Sequence, residues 1–154
     1  MNRLDCCQAA YIAGLIDADG TVTLTRRHRN ETRHAAVYLS NTDRQLLEYV
    51  LRTVGAGKIT NKRSVGRRHR PSYAYAITNR QAVRLLADIE PFLLTYKGDR
   101  ARLILRDYIV LTPRNGHYPA EIKAARRRFE AAVLAIRPTP CDCALPALPE
   151  REHY

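Results

Sequence analysis

Two aspartates, Asp17 and Asp19, stand one residue apart at the end of an apolar run, Tyr11-Ile12-Ala13-Gly14-Leu15-Ile16-Asp17-Ala18-Asp19-Gly20. The run is helical in character, Gly20 breaks it, and an alternating Thr-Val-Thr-Leu-Thr stretch follows. Carboxylates are favoured at helix N-termini and disfavoured at C-termini, so capping does not account for acids at this end. A divalent cation would, and one held there could activate water or neutralise phosphate oxygens.

The charge distribution points to the same chemistry. The 154-residue chain has 26 Lys and Arg against 15 Asp and Glu, a net charge of +11. Between Thr21 and Arg80 there are thirteen bases and three acids (Glu31, Asp43, Glu48), a net of +10, so the remainder is nearly neutral. Excess charge confined to one segment is the footprint of a nucleic-acid surface. Only four bases are Lys (58, 62, 97 and 123). Arg pairs bidentately with phosphate and guanine, although a GC-rich genome produces the same bias.

A chain of this length suits one domain with a proper core. Its apolar content of 45% excludes wholesale disorder. No apolar run is long enough to span a membrane and the N-terminal residues do not read as a secretory leader, so the expected location is inside the cell, in cytoplasm or organelle. Neither Cys6-Cys7 nor Cys141-x-Cys143 has zinc-ligand spacing. Terminus-to-terminus disulfides and four free, half-buried thiols both remain open. A sequence without Gly-x-Ser-x-Gly, a His-rich metal box or a phosphate-cradling Gly loop argues against the classical hydrolases.

These acids and bases need elements to hold them. Asp5 is placed to cap a first helix from about Cys6 to Asp17. From Thr21 the period becomes two, with Thr21, Thr23, Thr25, Arg27 and Arg29 opposite Val22 and Leu24. A polar turn leads to a second strand, Arg33 to Ser40, where His34, Ala36 and Tyr38 oppose Val37 and Leu39. Asn41-Thr42-Asp43 opens a helix to Val54 with an apolar stripe at Leu46, Leu47, Val50 and Leu51. Strands at Lys58 to Ser64 and Ser72 to Thr78 flank a basic loop, Val65 to Pro71. Asn79 is a candidate cap for a helix from Arg80 to Ile89, and further helices are expected at Arg100 to Val110 and Ala120 to Ile136. Residues 1–137 form the domain, and residues 138–154, rich in Pro and Cys, form a tail. The fourth strand presents either Tyr73 and Tyr75 or Ala74 and Ala76 to the open side; its pattern does not decide. The result is an α+β layer with helices on one face of an antiparallel sheet and basic residues on the other.

Ala13-Gly14-Leu15-Ile16-Asp17-Ala18-Asp19-Gly20 resembles the motif of the LAGLIDADG homing endonucleases nearly letter for letter, with Ile12 in place of the leading Leu. The resemblance extends from Tyr11 to about Leu111. It implies an αββαββα core with a four-stranded antiparallel saddle sheet, here with extra C-terminal helices. It also implies a site-specific double-strand DNA endonuclease, intron- or intein-associated, that uses Mg²⁺, with Mn²⁺ as a substitute. A single motif implies a homodimer on a long, nearly palindromic DNA target, cut to leave short 3′ overhangs. In that reading Asp19, helped by the Ala18 carbonyl, holds the metal, and Asp17 is structural. Tyr11, Gly14, Leu15 and Asp17 lie at the dimer interface, and Lys97, after Pro91-Phe92-Leu93, joins the solvent network at the scissile phosphate. Asn41 and Arg44 are the candidates that order the attacking water, the usual Gln being absent; Asn41 serves equally as a helix cap. Thr21, Thr23, Thr25, Arg27, Arg29, His34, Tyr38, Lys58, Thr60 and Lys62 would read bases, while Arg67, Arg68 and Arg70 divide between phosphate and outer bases. An RNA maturase on the same scaffold and a non-catalytic DNA-binding descendant are the alternatives.

Overall fold

The computed structural model describes residues 1–26, 28, 29, 31–62, 71–114 and 118–138. Helix α1 (Cys6–Asp19) leads into strands β1 (Gly20–Thr25) and β2 (His34–Asn41). Helix α2 (Arg44–Val54), strands β3 (Lys58–Asn61) and β4 (Tyr73–Thr78) and helix α3 (Asn79–Ile89) repeat the pattern. A 3-10 turn at Glu90–Phe92 precedes α4 (Tyr96–Asp107) and α5 (Ala120–Ala135). The sheet is antiparallel in the order β1-β2-β4-β3. This is the α+β layer expected from the sequence.

Local chemistry fixes the boundaries. Asp5 caps α1 through the Gln8 amide at 2.8 Å, and Gln8 reaches back to the Asp5 amide, a reciprocal capping box. α1 continues two residues beyond the expected end, so both acids fall in its last turn. Gly20 closes it, donating to the Ile16 carbonyl. A Cβ at Gly20 would stand 2.6 Å from the Ile16 Cα and 3.0 Å from the Tyr38 carbonyl oxygen, closer than any side chain tolerates. Glycine here is therefore a requirement of helix meeting sheet.

Other boundaries move for identifiable reasons. β1 ends at Thr25, which puts Arg29 in the exposed turn between β1 and β2 rather than on the strand. β3 ends at Asn61, with Lys62 just beyond it still donating its amide to Ser72 at 2.8 Å. Asn79 is not a cap but the first residue of α3, at φ 57°. α4 starts at Tyr96 instead of Arg100, because Thr95 accepts from the Lys97 amide at 3.3 Å and starts the helix despite Gly98 in its first turn. The residues Arg27, Arg67, Arg68, Arg70, Cys141 and Cys143 and the tail beyond residue 138 lie outside the described residues. Cys6 and Cys7 are exposed rather than half-buried.

One core joins these elements. Ile12 and Ile16 of α1, Leu47 and Val50 of α2, and Leu85, Leu86 and Ile89 of α3 bury against Val22, Leu24, Val37, Leu39 and Ile77 of the sheet. α5 lies along the β1 edge and contributes Phe129 and Val133. Its Arg126 is only 2% exposed. The guanidinium donates to the Arg33 carbonyl and the Thr112 hydroxyl, pairs with Glu130 at 3.2 Å, and lies 4.7 Å from the Tyr108 ring. Full pairing makes this burial tolerable.

Tyr75 settles which side of β4 faces the core. Its ring is buried and its hydroxyl donates to the Ala56 carbonyl at 2.7 Å, so Ala74 and Ala76 occupy the open face. Burial pushes the Tyr75 phenol well above its ordinary range. The folded chain therefore keeps the proton where the unfolded chain loses it, and stability is full below about pH 10 and falls above it. Tyr75→Phe should lose about 1 kcal/mol at neutral pH. Urea titrations at pH 7 and above pH 10 should also show a flatter alkaline decline than in the parent.

Candidate metal and nucleic-acid site

The two motif acids have separate surroundings. Asp17 is committed within the chain: one carboxylate oxygen accepts from the Leu94 amide at 2.7 Å and the other from the Thr95 hydroxyl at 2.5 Å. It ties the end of α1 to the start of α4. Asp19 is exposed and makes no hydrogen bond or ion pair among the described residues. An unpaired carboxylate at the negative end of a helix is electrostatically costly, which makes it a strong attractor for a cation.

Lys97 offsets part of that negative charge. It is 6% exposed, and its Nζ donates to the Ile16 and Asp17 carbonyls, each at 2.8 Å. These are terminal carbonyls of α1, so the ammonium caps the helix and stops short of the Ala18 carbonyl. Burial pulls the Lys97 ammonium below the ordinary lysine range, while Asp17 and then Asp19 act in the opposite sense. An ammonium has three donors, so one remains for solvent or phosphate. The sequence placed Lys97 in a solvent network; the structure seats it first as the fastener of the turn that carries Asp19.

Asn41 and Arg44 stand at the same end of the sheet. Gly20 pairs with Leu39, two residues before Asn41. The Asn41 side chain accepts from the Asp43 amide at 2.8 Å, and Asp43 is the cap of α2. Arg44 pairs with Glu48 at 2.8 Å and lies 5.7 Å from the Tyr73 ring. No hydrogen bond among the described residues joins either side chain to Asp17, Asp19 or Lys97.

Arg137, which no sequence pattern marks, also reaches this end. Arg100 donates from Nε and Nη2 to the Ile136 carbonyl (2.9 and 2.6 Å) and from Nη1 to the Val22 carbonyl at 3.0 Å. That clasp brings Arg137 into the cleft lined by Asp17, Tyr96, Lys97 and Arg102. A residue following the last helix has no local pattern to mark it; only the long-range Arg100 contact places it.

Cross-strand partners define the open face as rows. Thr21, Tyr38, Ala76 and Lys58 form one, Thr23, Ala36 and Thr78 a second, Thr25 and His34 a third, and Ser40, Ala74 and Thr60 a fourth. Thr21, Lys58, Thr60 and Lys62 are exposed, and Thr23, Thr25, His34 and Tyr38 are half-buried. Ala36 is fully covered. The structure thus brings the described strand candidates to one face, with Tyr38 on the central strand β2 and Lys58 on the edge strand β3.

α1 also turns a row outward. Cys7, Tyr11, Gly14 and Ala18, at helical spacing, are all exposed, and Leu15 is half-buried. Nothing lies within 4 Å of where a Gly14 Cβ would be. Tyr11 leans edge-on against Tyr49 of α2, with ring centroids 5.6 Å apart.

A motif helix with a free terminal aspartate, feeding a four-stranded sheet with one open face, is the organisation of the LAGLIDADG class. The chain belongs to that family: residues 7–90 match the model of the LAGLIDADG-like domain. Its fold resembles that of homing endonuclease I-CvuI, solved in complex with its target in the presence of Ca, with a TM-score of 0.70 at 18% identity over 85% of this chain and 82% of that one. The archaeal intron-encoded homing endonuclease I-Vdi141I, complexed with DNA, gives a TM-score of 0.61 at 18% identity, covering 83% of this chain and 82% of that one. Meganuclease I-SmaMI, bound to uncleaveable DNA, gives a TM-score of 0.61 at 16% identity; 86% of this chain covers only 46% of that one. None of the curated proteins matches the chain.

Proposed function

We propose that this protein is a site-specific DNA endonuclease of the homing type that works as a homodimer and hydrolyses both strands with a divalent metal. The observation that carries this is Asp19, an exposed carboxylate with no hydrogen bond or ion pair among the described residues, at the end of the family's motif helix.

The site fits a metal only in part within one chain. Asp19 supplies a carboxylate, with the Ala18 carbonyl beside it, but the described residues hold no cluster of three or more His, Cys, Asp or Glu. Mg²⁺ accepts one or two carboxylates completed by water and substrate phosphate, so a second Asp19 and the DNA supply what is missing. The bound ion would generate the attacking hydroxide and neutralise the phosphate oxygens. Lys97 holds the turn that carries Asp19 and has one donor left for the phosphate. Asn41 and Arg44 order water at the β2 end, and Arg137 adds positive charge at the rim. Mg²⁺ is the expected ion, with Mn²⁺ as a substitute.

The second copy docks on the outward row of α1. Among the described residues nothing fills the space beside Gly14, which suits close approach of an identical helix. Tyr11 and Leu15 pack around that contact, while Asp17 stiffens the helix end next to it. Two-fold symmetry then requires a nearly palindromic target. The chain's coverage of less than half of I-SmaMI is the ratio expected if one chain there replaces two here. Gly14→Leu should leave the fold intact and shift the protein from dimer to monomer in gel filtration, with loss of double-strand cleavage.

Thr21, Thr23, Thr25, His34, Tyr38, Lys58, Thr60 and Lys62 meet the major groove from the open face, with Arg29 at its hairpin end; Arg27, Arg67, Arg68 and Arg70 extend the set. No helix among the described residues is long and apolar enough to cross a membrane. The decisive experiment is incubation with Mg²⁺ and DNA spanning the uninterrupted allele of the host gene. Cleavage at one site supports the reading, and intact DNA across every insertion-site allele tried would sink it.

A further inference from the structure

Beyond the open face, the exposed turn between β1 and β2 and the outer side of α5 form a groove lined by Arg26, Arg29, Lys123, Arg126 and Arg127, with Glu31 and Glu130 as its acids. The acids do not neutralise it. Glu130 is committed to the buried Arg126 and to the Arg33 amide at 3.0 Å, and Glu31 faces the His28 amide at 3.4 Å. Arg26, Arg29, Lys123 and Arg127 are exposed, and no ion pair among the described residues includes any of them. Arg26 donates to the Arg29 carbonyl at 2.8 Å, which shapes the turn and commits neither guanidinium to a carboxylate; with Glu31 still charged beside them, the five bases of the groove outweigh its two acids.

Position gives the groove its occupant. It starts at the end of the sheet where the Thr25–His34 row ends, next to the last pair of residues on the open face. Lys123 and Arg127 are one helical turn apart on α5, and the Arg126 knot fixes that helix to the start of β2. Two exposed cations on α5 and two on the facing turn, at the end of a duplex-binding face, match the phosphate backbone, which is read without regard to sequence.

We infer that this groove clamps the backbone of duplex DNA outside the base-reading sheet, with Lys123 and Arg127 as its phosphate contacts; this rests on the DNA-binding reading above. The test uses the full chain and an arbitrary-sequence duplex of about 40 base pairs, with affinity measured between about 50 and 200 mM KCl. Lys123→Gln combined with Arg127→Gln should weaken binding roughly tenfold or more at 100 mM and flatten the log–log salt slope by about 1.8, two released counterions' worth. Arg128→Gln, on the side of α5 toward α4, is the matched control and should change neither. Lys58→Gln, on the sheet, should flatten the slope by about 0.9 independently. If Lys58→Gln changes the slope and the α5 pair does not, the clamp is overturned while DNA binding stands. If the parent shows no salt-dependent binding to duplex, both readings fall.

Discussion

Asp19→Asn should fold, dimerise and bind DNA as the parent does, yet cut it at least about a thousandfold more slowly. The substitution keeps the shape of the side chain and removes its charge. Among the described residues Asp19 has no hydrogen bond or ion pair to lose, only its longer-range attraction to the Lys97 ammonium, so the structural penalty is small. Removing an acid from a helix C-terminus is mildly stabilising, and the melting temperature should stay level or rise slightly. What disappears is the only uncommitted carboxylate of the motif, and with it a metal contribution of several kcal/mol, each 1.36 kcal/mol being tenfold in rate. Single-turnover cleavage of the identified target, beside a thermal melt and a binding titration, separates these effects. Chelation of the parent with EDTA should give the same result, lost cleavage with an unchanged melt. A variant that still cuts at the parental rate would remove Asp19 from the chemistry.

Lys97→Met should do the reverse, damaging the fold first. The Lys97 ammonium is buried and holds the Ile16 and Asp17 carbonyls at 2.8 Å each. Methionine fills similar volume but donates nothing, so two charge-assisted hydrogen bonds go and two terminal carbonyls are left bare. A loss of about 3 kcal/mol is expected, or a fall in melting temperature of roughly 10 °C. Cleavage measured well below the new melting point should also drop, because the turn carrying Asp19 is no longer held. An unchanged melt would show that the ammonium is not seated on those carbonyls. The two outcomes would separate neighbouring charges: loss of cutting without loss of fold at the exposed Asp19, and loss of fold first at the buried Lys97.

The sequence made some of this readable and hid the rest for physical reasons. The motif and its glycine were legible because helix and strand differ sharply in period and Gly20 stands at the change. α2 was legible because Asp43 caps it and an apolar stripe at Leu46, Leu47, Val50 and Leu51 marks its core side, although the structure buries Leu47, Val50 and Val54 and leaves Leu46 and Leu51 half-covered. The orientation of β4 was not, since Tyr and Ala alternate and neither set is polar; a tyrosine hydroxyl bonded to Ala56 decided it. The start of α4 was masked by Gly98, a poor helix former, whereas Thr95 supplies the cap. Arg126 sits in an Arg-Arg-Arg run that reads as a solvated face, but one of the three is buried through partners remote in sequence. The role of Lys97 depended on a contact spanning 80 residues, for which no local pattern exists.

The fastening of α1 bears on how small a working fragment can be. The family match ends at residue 90. Leu94 and Thr95, which bind Asp17, and Lys97, which binds the carbonyls before Ala18, all lie past that limit. A chain cut at that boundary would retain every letter of the motif and lose its anchorage. The unit that evolution can transplant or an engineer can excise is therefore longer than the unit by which the family is recognised, and must include at least the first turn of α4.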